Sequence, residues 1–310
     1  MSTVRALSSA VGRGTFGWLW TLRAAALAAA LSAACSTSHE PAVVPAAPGL
    51  TVIAIASDLT IGENRLPLAV LRAAGDPIRD DAAALDVTFV QQESPDEVLN
   101  APAPVWRAWP VGGGIYTTRP NFPRGGLYEF TVTYESSEGP LTGKAAVVVN
   151  ESSITPAVGS TPPPSPTKTA TTASELAEIS SDSAPSLELY RLSVDEAVES
   201  GRPSVVVFST PAFCQSAVCG PQVAMIRALR ERHGDAANFI HVEIFDNPKE
   251  MLATGNPGIG IVSPVVEGWA LPSEPWTFIM DADGRIAVKF EAFATETELQ
   301  EALAAVLDGS

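Results

Sequence analysis

Two of the three cysteines stand close together in Thr210-Pro211-Ala212-Phe213-Cys214-Gln215-Ser216-Ala217-Val218-Cys219-Gly220-Pro221. They follow the continuous apolar run 204–209 and precede a segment with Val223, Ile226 and Leu229 at spacing three. The pair therefore falls where a covered strand turns into a helix. Free N–H groups and partial positive charge at a helix N-terminus favour a thiolate over a thiol. This placement makes Cys214 the attacking sulfur and Cys219 the sulfur that resolves a mixed disulfide. Positions five apart in a regular helix point away from each other, so either Cys214 lies before the helix or oxidation unwinds a turn. Gly220-Pro221 fits either arrangement, because proline suits a first helical turn.

The elements that must position this pair alternate between strand and helix. Residues 187–192 read as a short strand, and Ser193 with Glu196 forms a capping box that opens a helix stopping at Gly201. Residues 239–245 read as the next strand, followed by an irregular Gly/Pro-rich stretch to Pro272. Residues 276–281 and 285–291 form a hairpin through Ala282-Asp283-Gly284. Thr295 and Glu298 cap a last helix whose Leu299, Leu303, Val306 and Leu307 face inward. This order places the C-terminal half in the α/β class.

With that element order, residues 186–310 resemble the thioredoxin fold. In that family a cis-proline precedes the hairpin strand and faces the active sulfurs, and Ser273-Glu274-Pro275-Trp276 carries that role over to Pro275. The resemblance implies dithiol–disulfide exchange with exported proteins, with Cys214, Cys219 and Pro275 as the site, no bound cofactor, and a membrane electron donor or acceptor as a further partner. Four residues separate the cysteines instead of the usual two, and the strand before them offers Val205, Val206 and Val207 where many relatives keep a buried acid. Proton transfer to the buried sulfur is thus left without a residue. The same spacing is similar to one branch of the peroxiredoxins, but their Thr stands three places before the attacking Cys and Thr210 stands four. A resemblance to the thioredoxin-fold copper chaperones would imply a distant His beside the cysteines, and only His233 and His241 occur in this half. A non-catalytic binding protein with an inert Cys214–Cys219 staple is the competing class; so small a loop would contribute only ~2 kcal/mol.

At the N-terminus, residues 1–34 carry Arg5, Arg13 and Arg23, no acidic residue, and the apolar run 24–34. These are the marks of an export signal. Ser32-Ala33-Ala34-Cys35 resembles the lipobox of bacterial lipoproteins, which implies a lipid on Cys35 and a chain held at the outer face of the cell membrane. An uncleaved membrane anchor is the alternative, although Arg23 interrupts the apolar stretch that would have to span. Residues 35–49 then read as a Pro- and Ala-rich tether.

Residues 50–150 read as β throughout, with strands expected at 51–57, 65–72, 85–91, 105–109, 115–119, 127–135 and 141–149. Strict alternation of Tyr128, Phe130, Val132 and Tyr134 with Glu129, Thr131 and Thr133 means one packed face and one wet face. So many short strands suggest an immunoglobulin-like sandwich. Gly126-Leu127-Tyr128-Glu129-Phe130 resembles the tyrosine corner of that family, with Phe130 where antibody domains place a Cys. The Ser/Thr/Pro-rich stretch 151–185 reads as a flexible, extended linker.

The chain has 310 residues, 46% of them apolar, and a formal charge of −16. That is enough apolar material for about two packed domains and the wrong sign for a nucleic-acid partner. Asp281-Ala282-Asp283-Gly284 lacks the remaining ligands of a calcium loop and reads as a turn. Gly258-Ile259-Gly260 lacks the third glycine of a dinucleotide site. His233 reads as a dipole partner at a helix end, and Trp269 and Trp276 as core or pocket wall.

Overall fold

The computed structural model describes residues 49–79, 84–110 and 112–309; the export signal, Cys35 and most of the expected tether lie outside the described residues. The chain is mostly β-sheet with a few helices.

In the first half the strands are β1 (Leu50–Ala54), β2 (Leu59–Thr60), β3 (Gly62–Glu63), β4 (Leu66–Arg72), β5 (Leu85–Gln91), β6 (Ser94–Asn100), β7 (Val105–Ala108), β8 (Gly114–Thr118), β9 (Asn121–Phe122), β10 (Gly126–Ser136) and β11 (Gly139–Asn150). They form a sheet in the order β1-β4-β8-β7, a second in the order β2-β11-β10-β5-β6, and the small pair β3-β9. The alternating residues of β10 supply the core: Tyr128, Phe130 and Val132 are buried together with Val87 and Phe89 of β5. Phe89 meets Phe122 edge-on at 5.1 Å and Phe130 at 5.4 Å. The Tyr128 hydroxyl donates to the Arg124 carbonyl at 3.0 Å, which ties the start of β10 to the turn before it. Strand β6 was not expected from its residues, since Pro95, Asp96 and Glu97 are exposed along a sheet edge and give no apolar alternation.

The stretch 151–185 is not the flexible linker expected from its composition. Thr155, Ser165, Ala170, Leu176, Ser180 and Ser181 are buried, and residues Ala173–Ile179 form a helix, α1, opened by a Thr172/Glu175 capping box. Main-chain bonds fasten it to the second half: Gly159 N–H to the Ile286 carbonyl at 2.7 Å, Ile286 N–H to Ser160 at 2.9 Å, and Ala170 N–H to Tyr190 at 2.9 Å. Trp269 Nε1 donates to Ser165 Oγ at 2.7 Å. Composition misleads here because hydroxyls and prolines need little apolar area when the main chain finds partners; proline also loses less freedom on folding.

The second half continues with α2 (Val194–Glu199), β12 (Ser204–Ser209), α3 (Cys219–His233), β13 (Asn238–Glu243), α4 (Pro248–Thr254), α5 (Pro264–Gly268), β14 (Trp276–Met280), β15 (Ile286–Glu291) and α6 (Glu296–Asp308). Its sheet order is β13-β12-β14-β15, with β12 and β13 parallel and the other neighbours antiparallel. Both faces are covered. Val205 and Val207 join Val223, Ile226, Leu299 and Leu303 on the α3/α6 side, while Val206 and Phe208 join Val194, Val265, Trp269 and Phe278 on the other. The strand expected at 187–192 is instead a 3-10 turn, Leu187–Leu189, because only Leu189 and Tyr190 of this segment are buried and no neighbouring strand pairs with it. The irregular stretch to Pro272 contains α4 and α5, each with Pro in its first turn. In the hairpin turn, Asp281 Oδ1 accepts the Asp283 and Arg285 N–H groups, which is the work of a turn and leaves the carboxylate occupied.

The two halves meet through charged contacts. Arg65 Nε donates to Glu298 Oε1 at 2.8 Å, and its NH1 and NH2 groups donate to the Glu291 and Phe293 carbonyls. Lys289 Nζ reaches Asp58 Oδ2 at 2.8 Å, Ser153 Oγ at 2.5 Å and Thr155 Oγ1 at 3.0 Å. Burial works to raise the Asp58 pKa, but Lys289, Ser153, Thr155 and the Ile154 N–H together hold it well below the usual carboxylate range.

Candidate functional site

Cys214 and Cys219 are joined in a disulfide with their Cα atoms 5.9 Å apart. The geometry that makes this possible is that α3 begins at Cys219, so Cys214 lies in the turn ahead of the helix. Val218 is the N-cap, and its side chain makes no capping bond, which leaves the first N–H groups of α3 facing the end of the turn that carries the pair. Ala217, at φ 59°, takes the left-handed conformation that closes the turn between the two cysteines. The helix terminus therefore lies at Cys219, whereas the sequence suggested that it would act on Cys214.

The two sulfurs differ in access. Cys219 is fully buried, and Cys214 is partly exposed, with its Sγ 3.3 Å from Ser216 Oγ. Phe213 packs edge-on against Phe245 at 6.2 Å and anchors the turn to the segment after β13. In the disulfide, Cys214 is the sulfur-bearing residue with solvent access and Cys219 has none. Ser216 is positioned to donate to a Cys214 thiolate.

The peptide bond between Glu274 and Pro275 is cis, and Pro275 is buried at the start of β14. Beside it, a Glu274 carboxylate oxygen and the two sulfurs all lie within 4.8 Å of one another. Burial raises the Glu274 pKa above the ordinary glutamate value. Sequence reasoning missed this residue. The signal was an acid directly preceding the proline already assigned to the site. Among the described residues this is the one His/Cys/Asp/Glu trio close enough to share an ion, but sulfurs bonded to each other are not thiolate donors, and no metal centre is read from it.

Behind the site lies a buried polar group of residues. His241 Nδ1 is 2.6 Å from the Tyr190 hydroxyl, which also meets Ser180 Oγ at 2.8 Å, and His241 Nε2 is 3.2 Å from the Ser209 carbonyl. Burial lowers the His241 pKa to about 4, so the ring is neutral. Burial raises the Glu243 pKa, opposed by hydrogen bonds from Thr210 and Ser181. The Thr210 hydroxyl is thus engaged with Glu243 and lies 3.5 Å from Ser181 Oγ. Trp276 Nε1 donates to Ser273 Oγ at 3.1 Å, and Ser273 Oγ donates to Glu291 Oε1 at 2.6 Å. The same Glu291 carboxylate accepts from Ser57 N–H at 2.7 Å, so the first half is bonded to the segment that carries Glu274 and Pro275.

No family model and no curated protein matches the chain. Among solved structures, the chain is similar to a thioredoxin-family thiol:disulfide interchange protein from Chlorobium tepidum, at 15% identity and TM-score 0.29 over 37% of this chain and 86% of the other. A DUF4426 family protein from Pseudomonas aeruginosa is matched at 11% identity and TM-score 0.25, over 33% of this chain and 92% of the other. The Lin-41 filamin domain is matched at 9% identity and TM-score 0.22, over 33% and 93%. These scores are low, and the chemistry of the site rests on its own geometry. No helix among the described residues is long and apolar enough to cross a membrane.

Proposed function

We propose that this chain is an extracytoplasmic thiol–disulfide oxidoreductase that exchanges Cys214–Cys219 with thiols or disulfides of exported proteins. One observation carries the reading: a disulfide whose first sulfur is partly exposed and whose second is fully buried at a helix N-terminus, beside the buried Pro275. Such an asymmetric pair can attack with Cys214 and resolve with Cys219. A staple needs no such difference in access. In this reading residues 186–310 form a thioredoxin-like domain and residues 50–150 an immunoglobulin-like sandwich; the hydrogen bond from Tyr128 to the Arg124 carbonyl supports the latter. A lipid on Cys35 holds the protein at the outer face of the cell membrane, where a membrane electron donor or acceptor resets the disulfide. The acidic chain is no partner for nucleic acid.

The test is trapping. In cells that export the full chain, Cys219→Ser should accumulate mixed disulfides with other proteins and Cys214→Ser should form none. Equal behaviour of the two variants, or a reduction potential of the pair below about −300 mV, would place it with inert staples.

A further inference from the structure

We propose that the Glu274 carboxylate is the group that moves the proton at Cys219 during exchange. This rests on the exchange reading above. Its carboxylate oxygen lies within 4.8 Å of both sulfurs, a span that one water molecule bridges. Strand β12 offers only apolar side chains at 205–208, and the buried acid at the end of β13, Glu243, is held by the Ser181 N–H and by Thr210. Glu291 on β15, which reaches the segment before Pro275, is taken up by Ser57 and Ser273.

Burial is what raises the Glu274 pKa. A carboxyl group shifted upward stands closer to a thiol in acidity, and a proton passes between them with less loss of driving force.

The steps balance as follows. The Cys214 thiolate attacks a disulfide R–S–S–R′, forming Cys214–S–S–R and releasing R′–S⁻. Glu274 then accepts the Cys219 proton through the bridging water while the Cys219 sulfur attacks Cys214 Sγ and expels R–S⁻. Protonated Glu274 returns that proton to R–S⁻, leaving R–SH, the Cys214–Cys219 disulfide and an ionised Glu274. The two electrons come from the Cys214/Cys219 pair and reduce R–S–S–R′.

The experiment uses the reduced full chain and oxidised glutathione as the probe, quenched in acid between pH 5 and 9. Mass spectrometry follows capture (the glutathione adduct on Cys214) and resolution (its loss with closure of the disulfide). At pH 7, Glu274→Gln should lower the ratio of resolution rate to capture rate about a hundredfold, the low end of general acid–base effects. Resolution in that variant should climb about tenfold per pH unit as solvent takes over deprotonation. Glu274→Asp should restore at least a tenth of the wild-type ratio, which a purely structural role would not produce. Glu274→Ala serves as a second neutral variant if Gln does not fold. A ratio within twofold of wild type in either neutral variant, with capture and closure intact, overturns the role of Glu274 and leaves the exchange reading standing. Absence of any adduct or closure in the wild type overturns both.

Discussion

Replacing Arg65 with Met should cost about 3–5 kcal/mol at pH 7, because it strips one partner from a buried ion pair and leaves the other in place. Side-chain exposure is 6% for Arg65 and 3% for Glu298, so neither charge is screened by water. Burial acts to raise the Glu298 pKa, but the charge and hydrogen bond of Arg65, with the Thr295 N–H, hold it below the usual carboxylate range. A carboxylate with a depressed folded pKa contributes stability above its unfolded pKa and loses it as pH falls through the folded value. In Arg65→Met the largest of these opposing contributions is lost. Glu298 would keep its burial, retain the Thr295 capping bonds and one cation, Arg107 at 3.7 Å, and protonate more readily than in the wild-type fold. The loss relative to wild type should therefore shrink between pH 7 and pH 5. Urea unfolding followed by tryptophan fluorescence measures this for wild type, Arg65→Met, Glu298→Gln and the double variant. Glutamine at 298 keeps the capping box of α6, so the double variant should recover about 2 kcal/mol of the loss by removing the stranded charge. A loss below about 1 kcal/mol, the range of exposed pairs, would refute the reasoning. So would an equal loss in the double variant and at both pH values.

Two further outcomes follow from the buried elements. His241, whose pKa burial lowers to about 4, stays neutral in the fold while the unfolded chain takes up a proton near pH ~6.5. Stability from this residue is complete above the unfolded pKa and falls by about 3 kcal/mol as pH drops to the folded one. NMR should show its ring protons unmoved between pH 8 and pH 5, and a midpoint near pH 6.5 would sink the assignment. The Ser/Thr/Pro-rich stretch 151–185 should resist limited proteolysis of the native chain, because Ser165, Ala170 and Leu176 are buried in it. Early cleavage there would contradict its packed state.

Much of the framework was legible before any coordinates. Period-two alternation located β10, a continuous apolar run located β12, and capping boxes at Ser193 and Thr295 located α2 and α6. These signals are local, since each depends on neighbours along the chain and on which face is wet. Segments without such a pattern were misread. Leu187–Leu189 forms a 3-10 turn, and β6 is an exposed edge strand whose pairing partner is β5. At the site, Cys214 and Cys219 could be named from type and spacing and Pro275 from the resemblance to the thioredoxin fold, but Glu274 could not, since an acid beside a proline is ordinary until the chain returns to the cysteines.

The amino-acid order alone determined where the patterned strands and capped helices lie, which of their faces carry the core, and that two sulfurs sit at a strand-to-helix junction. Only tertiary structure decided that the helix begins at the second sulfur, leaving the first accessible and the second enclosed. It also decided that residues 151–185 pack instead of trailing, and that Glu274 faces the disulfide. The physical reason is the same in each case. Burial, charge pairing and proton exchange depend on distances between groups far apart along the chain, and no local pattern encodes those distances.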